Sequence, residues 1–256
     1  MIRIDLNGDM GESFGTWALG DDDAMLRHVT SANIACGFHA GDPTTMRRTV
    51  RLALDRGVAV GAHPGYPDLA GFGRRAMACT PDEVRDLVTY QVGALAAFAA
   101  AEGGRLAHVK PHGALYNAAA RDQRLADAIA EAVRAVDPTL VLVGLAGSEL
   151  MAAAERAGLA AAHEAFADRA YGADGHLVPR SDPAAVIDDP ARAAAQAVDL
   201  ALHRRVHALD GTALTIRADT LCLHGDAPGA EARAAAIREA LARAGVTVAR
   251  LARAAR

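Results

Sequence analysis

Short apolar runs alternate with longer helical patterns along the whole chain. Eight runs have the length and composition of buried strands, and they cover residues 2–6, 32–36, 58–62, 106–109, 140–144, 161–165, 221–223 and, more weakly, 246–249. No linker, repeat or low-complexity stretch interrupts this alternation. The pattern therefore predicts a single domain over residues 1–256, built from successive strand–helix units.

The intervening helices have recognisable ends and faces. Asp42-Pro43 and Asp189-Pro190 each pair an N-cap residue with a proline at the first helical position, and Thr80 and Glu83 have the spacing of a capping box. Two apolar stripes with helical spacing predict buried helix faces. They consist of Leu125, Ile129, Val133 and Val136, and of Val198, Leu202 and Val206.

A cluster of polar residues follows nearly every predicted strand. In a parallel barrel all the carboxyl ends of the strands face one mouth, whereas a doubly wound open sheet offers mainly one crevice at its switch point. The strand pattern allows both architectures. The many polar strand ends favour an α/β fold of the (β/α)-barrel type, because only a barrel brings them all to one site.

Composition and charge limit which classes of binding partner and which cellular compartment fit the sequence. A net charge of -4, without a cluster of basic residues, provides no electrostatic patch for nucleic acid or an anionic membrane. No apolar run approaches the ~18 residues of a membrane span, and no signal-peptide pattern opens the sequence. The 3 cysteines are widely separated, which suits reduced thiols. We expect a cytoplasmic protein.

Lys110 is the only lysine among 27 basic residues, all the others being arginine. It follows a predicted strand directly, in the stretch Val109-Lys110-Pro111-His112. Chance survival of one lysine is one explanation. The other is that this position needs a compact ammonium with a tunable pKa, which a guanidinium cannot supply. Its place at a strand end favours a catalytic role.

Four histidines also come just after apolar runs, and they are His39, His63, His112 and His224. One histidine at such a position is more often a hydrogen-bonded structural residue than a ligand, but four favour a shared site. The first predicted strand adds Asp5, Asn7 and Asp9, whose side chains share one face if the strand persists. Carboxylates there suit metal binding or acid–base chemistry, and a solvated turn is the alternative.

Glu164, Asp168 and Arg169 follow the sixth predicted strand, and Arg180 comes further along. The two arginines are able to clamp a substrate carboxylate in bidentate fashion, while ion pairs at the surface explain them equally well. Several common motifs are absent from the sequence. There is no Walker loop, no G-x-S-x-G elbow and no G-x-G-x-x-G at a helix start, which argues against nicotinamide binding and serine hydrolysis.

Seven blocks of sequence together resemble the LamB/YcsF family, in the family's order and from Met1 to beyond Asp226. They are N-G-D-M-G-E, S-A-N-I-A-C-G-F-H-A-G-D, G-A-H-P-G-Y-P-D, G-F-G-R-R, V-K-P-H-G-A-L-Y-N, E-A-F-A-D-R-A-Y and L-H-G-D. The resemblance implies a seven-stranded β/α barrel related to glycoside hydrolases and polysaccharide deacetylases.

The resemblance also implies a reaction, the ATP-dependent opening of 5-oxo-L-proline (pyroglutamate) to L-glutamate, performed together with separate B and C subunits. ATP is then a co-substrate. Because the lactam is an unstrained amide, phosphorylation of its carbonyl oxygen before water attacks is a sensible route. Release of phosphate would drive the opening of the ring.

Residue roles follow from the same resemblance. Asp9, His39 and His63 match the carboxylate–His–His centre of related deacetylases, which implies a divalent metal or a metal-free base cluster. Lys110 would polarise the lactam oxygen or stabilise the developing charge of the phosphate. His112 and His224 are expected to transfer a proton to the leaving nitrogen, and Glu164 or Asp168 to orient them. The residues expected to bind the substrate are Asn7, Asn117, Arg169 and Arg180.

Two other classes of protein fit the same residues. A metal-dependent deacetylase or amidohydrolase acting alone, on a sugar or a small amide, would use this barrel without ATP. A metabolite-binding subunit without chemistry is the non-enzyme alternative.

Overall fold

The computed structural model describes residues 2–223 and 229–251. The strands are β1 (Arg3–Met10), β2 (Ser31–Ala35), β3 (Ala59–His63), β4 (Leu106–Val109), β5 (Val141–Leu145), β6 (Ala160–Phe166), β7 (Arg205–His207), β8 (Ala213–Thr215), β9 (Thr220–Leu223) and β10 (Thr247–Val248). Seven of them pair in parallel in the order β1-β2-β3-β4-β5-β6-β9, and β9 pairs again with β1. The sheet therefore closes into the predicted barrel.

Helices surround the barrel and connect its strands. They are α1 (Asp22–Met25), α2 (Pro43–Asp55), α3 (Pro81–Ala101), α4 (Gly113–Ala119), α5 (Gln123–Val136), α6 (Glu149–Arg156), α7 (Pro190–His203) and α8 (Ala230–Arg243), with a short 3₁₀ helix at Pro183–Ala185. The Asp42 and Asp189 side chains cap α2 and α7, and Thr80 forms its capping box with Glu83, as predicted. Among the described residues, every helix is too short or too polar to cross a bilayer.

The structure differs from the sequence pattern in two places. β1 continues to Met10, so Asn7 and Asp9 lie within the strand. The apolar stripe assigned to one helix through Val206 is wrong at its last position, because α7 ends at His203 and Arg204 adopts a left-handed φ of 53°. Val206 instead belongs to β7, which forms an unpredicted antiparallel hairpin with β8.

The interior of the barrel is polar, and the apolar core lies between the barrel and its helices. Asp5 illustrates the interior. It is 1% exposed, and its carboxylate accepts hydrogen bonds from the hydroxyls of Thr30, Ser31 and Thr220, at 2.7, 2.7 and 2.6 Å. Each buried oxygen thus has a partner, which offsets the cost of removing the carboxylate from water.

Candidate active site

The carboxyl ends of five barrel strands gather the predicted polar residues at one mouth. Asp9 lies near the end of β1 and His63 is the last residue of β3. His39 lies in the connection from β2 to α2, Lys110 directly follows β4, and Glu164 lies near the end of β6. Parallel strands that close into a barrel explain this convergence.

Lys110 lies at the centre of the first half of the site. Its ammonium is 2.8 Å from Glu164 Oε1 and 3.0 Å from Asp9 Oδ1. It also contacts Asn7 Oδ1 and Cys222 Sγ, both at 3.1 Å. The residue is only 3% exposed. A buried ammonium therefore lies between two carboxylates, each within direct ion-pair distance.

A second layer of side chains holds the groups around Lys110. Tyr116 donates its hydroxyl hydrogen to Glu164 Oε2 at 2.7 Å. The Asn7 amide donates to Glu164 Oε1 at 2.9 Å, and the Asn33 amide donates to Asn7 and Asp9 at 2.7 and 2.8 Å. Asp9 and Glu164 therefore each accept at least one further hydrogen bond. We call the connected residues the lysine network: Asn7, Asp9, Asn33, Lys110, Tyr116 and Glu164.

The charges in the lysine network set its protonation. Burial by itself lowers the pKa of Lys110, but the negative charges of Asp9 and Glu164 outweigh it and hold that pKa well above its usual value. Burial raises the pKa of Tyr116 well above its usual value, and the nearby Glu164 adds to this effect. Lys110 is therefore charged and Tyr116 is a neutral hydrogen-bond donor near neutral pH.

Four side chains form the second half of the site, which we call the histidine cluster: Glu12, His39, His63 and His112. One donor atom from each lies within 4.8 Å of the other three. His39 stacks on His112 with ring centroids 3.7 Å apart, and His112 Nδ1 lies 3.0 Å from His63 Nε2. Burial lowers the pKa of His112 to about 3, and His63 adds to this effect. His112 is therefore a neutral imidazole near neutral pH, and the four side chains are close enough to share one ligand.

The loop between β3 and α3 supports the histidine cluster from one side. Asp68 holds Arg75 across the loop, with Oδ1 3.0 Å from Nε. Phe72 has a left-handed φ of 54°, and its carbonyl oxygen lies 2.8 Å from His112 Nε2. Gly73 also has a positive φ, and a Cβ there would lie 2.7 Å from the Cβ of His39. The loop therefore needs glycine at 73 to approach the rings so closely.

The two halves of the site touch through Asp9 and through the backbone of Lys110. Asp9 Oδ2 lies 3.4 Å from His63 Nε2, while the other oxygen of Asp9 contacts the Lys110 ammonium. The carbonyl oxygen of Lys110 lies 2.7 Å from His63 Nδ1. With 16% exposure, the side chain of Asp9 is the most open of these groups, so a small molecule from solvent meets it first.

Several predicted residues lie away from this centre or outside the described residues. Asn117 is exposed on α4 and donates to the Gly113 carbonyl at 3.1 Å. Arg169 is buried, and it donates to the carbonyls of Ala185 and Val178 at 3.1 and 2.7 Å. Two N–H donors of Arg169 are therefore engaged by backbone carbonyls, and Asn117 is not among the residues gathered at the centre of the site.

Arg180, Asp168 and His224 complete the predicted set. Arg180 is exposed, and Asp168 is buried two residues after the end of β6. Burial lowers the pKa of Arg169, and the positive charge of Arg180 adds to this. His224 lies outside the described residues.

Sequence reasoning missed four residues that the structure brings to the centre: Glu12, Asn33, Tyr116 and Cys222. Glu12, Asn33 and Tyr116 lie inside the sequence blocks quoted above. Their positions along the chain were therefore visible, but the sequence did not show that their side chains face the site. The sulfur of Cys222 accepts a hydrogen bond from the Lys110 ammonium at 3.1 Å. Burial raises the pKa of its thiol well above the usual value, so it is not an activated nucleophile.

Comparison with known proteins gives a consistent result over almost the whole length. The sequence profile of the LamB/YcsF family matches residues 4–256. A protein of Methylococcus capsulatus, named as the A subunit of 5-oxoprolinase, is 60% identical over 248 residues, which is 97% of this chain and 95% of that protein. A protein of Bacillus subtilis with the same name is 56% identical and covers 97% of this chain and 96% of its own length.

A solved structure agrees with the barrel described above. The crystal structure of a lactam utilization protein from Thermus thermophilus superposes with a TM-score of 0.93, at 53% identity. The match covers 98% of this chain and 100% of that one. Similarity at this level establishes the same fold and the same domain length.

Proposed function

This chain belongs to the LamB/YcsF family, and from that premise we propose that it opens the ring of 5-oxo-L-proline to give L-glutamate as the A subunit of a 5-oxoprolinase. The observation that carries the proposal is the 60% identity, over 97% of the chain, to a protein with that name. The reaction breaks a cyclic amide, so the enzyme is a hydrolase. We further propose that ATP is a co-substrate, that B and C subunits complete the enzyme, and that it works in the cytoplasm.

The lysine network supplies the groups that this reaction needs at the carbonyl oxygen. A free carbonyl oxygen gains negative charge when water attacks, and a phosphoryl group on that oxygen is itself anionic. The Lys110 ammonium is fixed, charged and largely shielded from water, so its charge acts at low dielectric on such an oxygen. Glu164 orients Lys110 directly, since it contacts the ammonium rather than a histidine.

Asp9 is placed to accept the proton of the attacking water. Its carboxylate is the most open group of the site, and it lies between the ammonium and the histidine cluster. When water adds to the carbonyl carbon of the phosphorylated lactam, the bond to the ring nitrogen breaks and that nitrogen leaves with a proton. Transfer of this proton is the role proposed for His224, while Asn7 keeps both Lys110 and Glu164 in register. A second water then hydrolyses the resulting acyl phosphate to glutamate and phosphate.

The phosphoryl transfer from ATP is the step for which the partner subunits are proposed. The sequence has no phosphate-binding Walker loop, so the reconstitution of activity is the direct test. We expect the purified chain alone to convert little or no 5-oxoproline, and mixing with the B and C subunits to restore release of glutamate, ADP and phosphate. Each subunit is omitted in turn, and glutamate and ADP are measured in parallel.

Two results would contradict this proposal in different ways. Full ATP-dependent turnover by the isolated chain would remove the need for shared catalysis. ATP-independent amide cleavage by the isolated chain would favour the second candidate, a metal-dependent amidohydrolase acting alone. The observation that supports this second candidate is the group of one carboxylate and three histidines in the histidine cluster.

A further inference from the structure

We propose that the histidine cluster of Glu12, His39, His63 and His112 is a binding site for one divalent cation of the zinc type. In this site His63 binds through Nε2 and His112 through Nδ1. The proposal rests on the contacts of the four side chains and stands or falls independently of the reaction proposed above.

The hydrogen bonds of two histidines fix which ring nitrogen carries the proton. His63 Nδ1 lies 2.7 Å from the carbonyl oxygen of Lys110, and His112 Nε2 lies 2.8 Å from the carbonyl oxygen of Phe72. A carbonyl oxygen only accepts, so each of these nitrogens must be the donor. The other nitrogen of each ring, Nε2 of His63 and Nδ1 of His112, is then the one whose lone pair can bind a cation.

The two lone pairs point towards the same place. His63 Nε2 and His112 Nδ1 are only 3.0 Å apart, so the two nitrogens face the same point. Asp9 Oδ2, a third acceptor, lies 3.4 Å from the same nitrogen of His63. Ring nitrogens that converge in this way in a buried site are favourably placed to bind one cation together.

His39 and Glu12 bring two further ligand atoms to the same place, which favours a shared cation over a single bridging proton. His39 is fully buried, and neither of its ring nitrogens has a hydrogen-bond partner among the described residues. Its Nε2 is 3.5 Å from Glu12 Oε1, which is also 3.8 Å from His112 Nδ1. One proton serves one donor–acceptor pair, whereas a metal ion accepts all four ligands at once.

The donor set indicates the kind of cation. Three imidazole nitrogens and one carboxylate oxygen suit zinc and its neighbours in the first transition series, whereas magnesium and calcium prefer oxygen ligands. The bond from His63 to the Lys110 carbonyl is the outer contact that typically orients a metal-binding histidine. A cation bound there would supply Lewis acidity next to Asp9.

The proposal changes the ligand set expected from the sequence. His39 and His63 stay in it, while Asp9 is replaced by Glu12 and His112. Asp9 is engaged by Lys110 at 3.0 Å, and it is not among the four residues whose donor atoms all lie within 4.8 Å of one another. Substitutions at position 9 and at position 112 therefore separate the two ligand sets.

The test measures metal binding to the isolated, full-length chain. The chain is stripped with a chelator and titrated with Zn²⁺ by calorimetry, while metal content after gel filtration gives the stoichiometry and the visible spectrum of Co²⁺ reports the ligand geometry. We expect one equivalent of metal and an increase in Tm on binding. His63→Asn and His112→Asn should each weaken binding by at least about 100-fold and abolish the Tm increase, because each removes a direct ligand.

Two control variants accompany these measurements. His203→Asn, at an exposed position on α7, should bind Zn²⁺ like the unmodified chain. Asp9→Asn should keep one equivalent of metal, with an affinity within about tenfold. Circular dichroism of the stripped variants checks folding, and a Glu12→Gln variant, which keeps the size of the side chain, replaces any histidine variant that fails to fold.

Three results would overturn the proposal. The first is no binding of Zn²⁺ or Co²⁺ at millimolar concentration, and the second is one-equivalent binding that survives both His63→Asn and His112→Asn. The third is a ¹⁵N NMR signature of a proton shared between His63 and His112 that is unchanged by added Zn²⁺. None of these results depends on turnover of 5-oxoproline, so they are distinguishable from failure of the proposed reaction.

Discussion

The lysine network and the histidine cluster lie side by side at one barrel mouth and differ in how their polar groups are satisfied. In the lysine network donors meet acceptors: the ammonium faces two carboxylates, and amides and a phenol supply the remaining bonds. In the histidine cluster ring nitrogens face one another, and His39 has no hydrogen-bond partner among the described residues.

This difference teaches which half is complete by itself. A network with matched donors and acceptors is rigid before any ligand arrives, so it is suited to stabilising charge at a fixed point. A cluster of converging imidazoles and a carboxylate is suited to holding a cation. The same end of the barrel thus provides the preorganised positive charge of Lys110 and, in the histidine cluster beside it, a place for a cation.

The largest expected effect comes from changing the charge at the centre of the lysine network. Lys110→Arg should reduce turnover of the assembled enzyme by roughly 10²–10³-fold, nearly as much as Lys110→Ala, because the broader planar cation cannot make four contacts in the space of an ammonium. Steady-state rates of glutamate formation with all subunits present measure this. If Lys110→Arg keeps most of the activity, position 110 needs only positive charge, and the rigidity of the network is not what matters.

An intermediate effect is expected where the network holds Glu164. Glu164→Gln removes one of the two charges that face Lys110 and should reduce kcat by roughly 10–100-fold, since a hydrogen bond to a charged group contributes about 1.5–3 kcal/mol. Tyr116→Phe removes only the outer hydrogen bond to Glu164 and should have the smaller effect, about tenfold. The reverse order of the two variants would show that the phenol, and not the carboxylate, is essential to turnover.

The smallest effect concerns His108, which joins the lysine network through Asn33 at 2.7 Å. Burial lowers the pKa of His108 to about 3, and the charge of Lys110 adds to this, compared with 6.5 for an ordinary histidine. Between these two values the unfolded chain binds a proton that the folded chain does not. Stability should therefore fall as the pH decreases through 6.5 and become independent of this group below about 3.

Urea unfolding at several pH values measures that dependence. His108→Gln keeps an amide donor for Asn33 and removes the titrating group. It should reduce the slope of unfolding free energy against pH by up to about 1.4 kcal/mol per pH unit in the acidic range. The comparison uses slopes, so a uniform loss of stability in the variant does not affect it. An unchanged slope would mean that His108 is protonated in the folded protein.

The fold was predictable where local signals agree with burial. Capping residues at Asp42, Thr80 and Asp189 marked helix starts correctly, and apolar runs marked all seven barrel strands. The end of β1 was missed because Asn7 and Asp9 are polar, which normally signals a loop, whereas this barrel has a polar interior. The end of α7 was missed because Arg204, and not glycine, adopts the left-handed conformation there.

The candidate site was predictable in its residue types but not in its pairings. Lys110 could be singled out because it is unique, and the histidines because each follows a strand. Nothing in the one-dimensional pattern assigns Asp9 to Lys110 and Glu12 to the histidines, since both carboxylates stand in the same block. Gly11, with a φ of 67°, turns the chain between them, and that turn gives the two carboxylates different partners.

Lys110 contributes to the two halves of the site with chemically different parts of the same residue. Its ammonium belongs to the lysine network and its carbonyl oxygen holds His63. Every amino acid has that carbonyl, so a substitution at position 110 deletes the one contribution and spares the other. In evolutionary terms the two halves are separable: a descendant could lose the ammonium, and the chemistry that depends on it, while inheriting the histidine cluster intact.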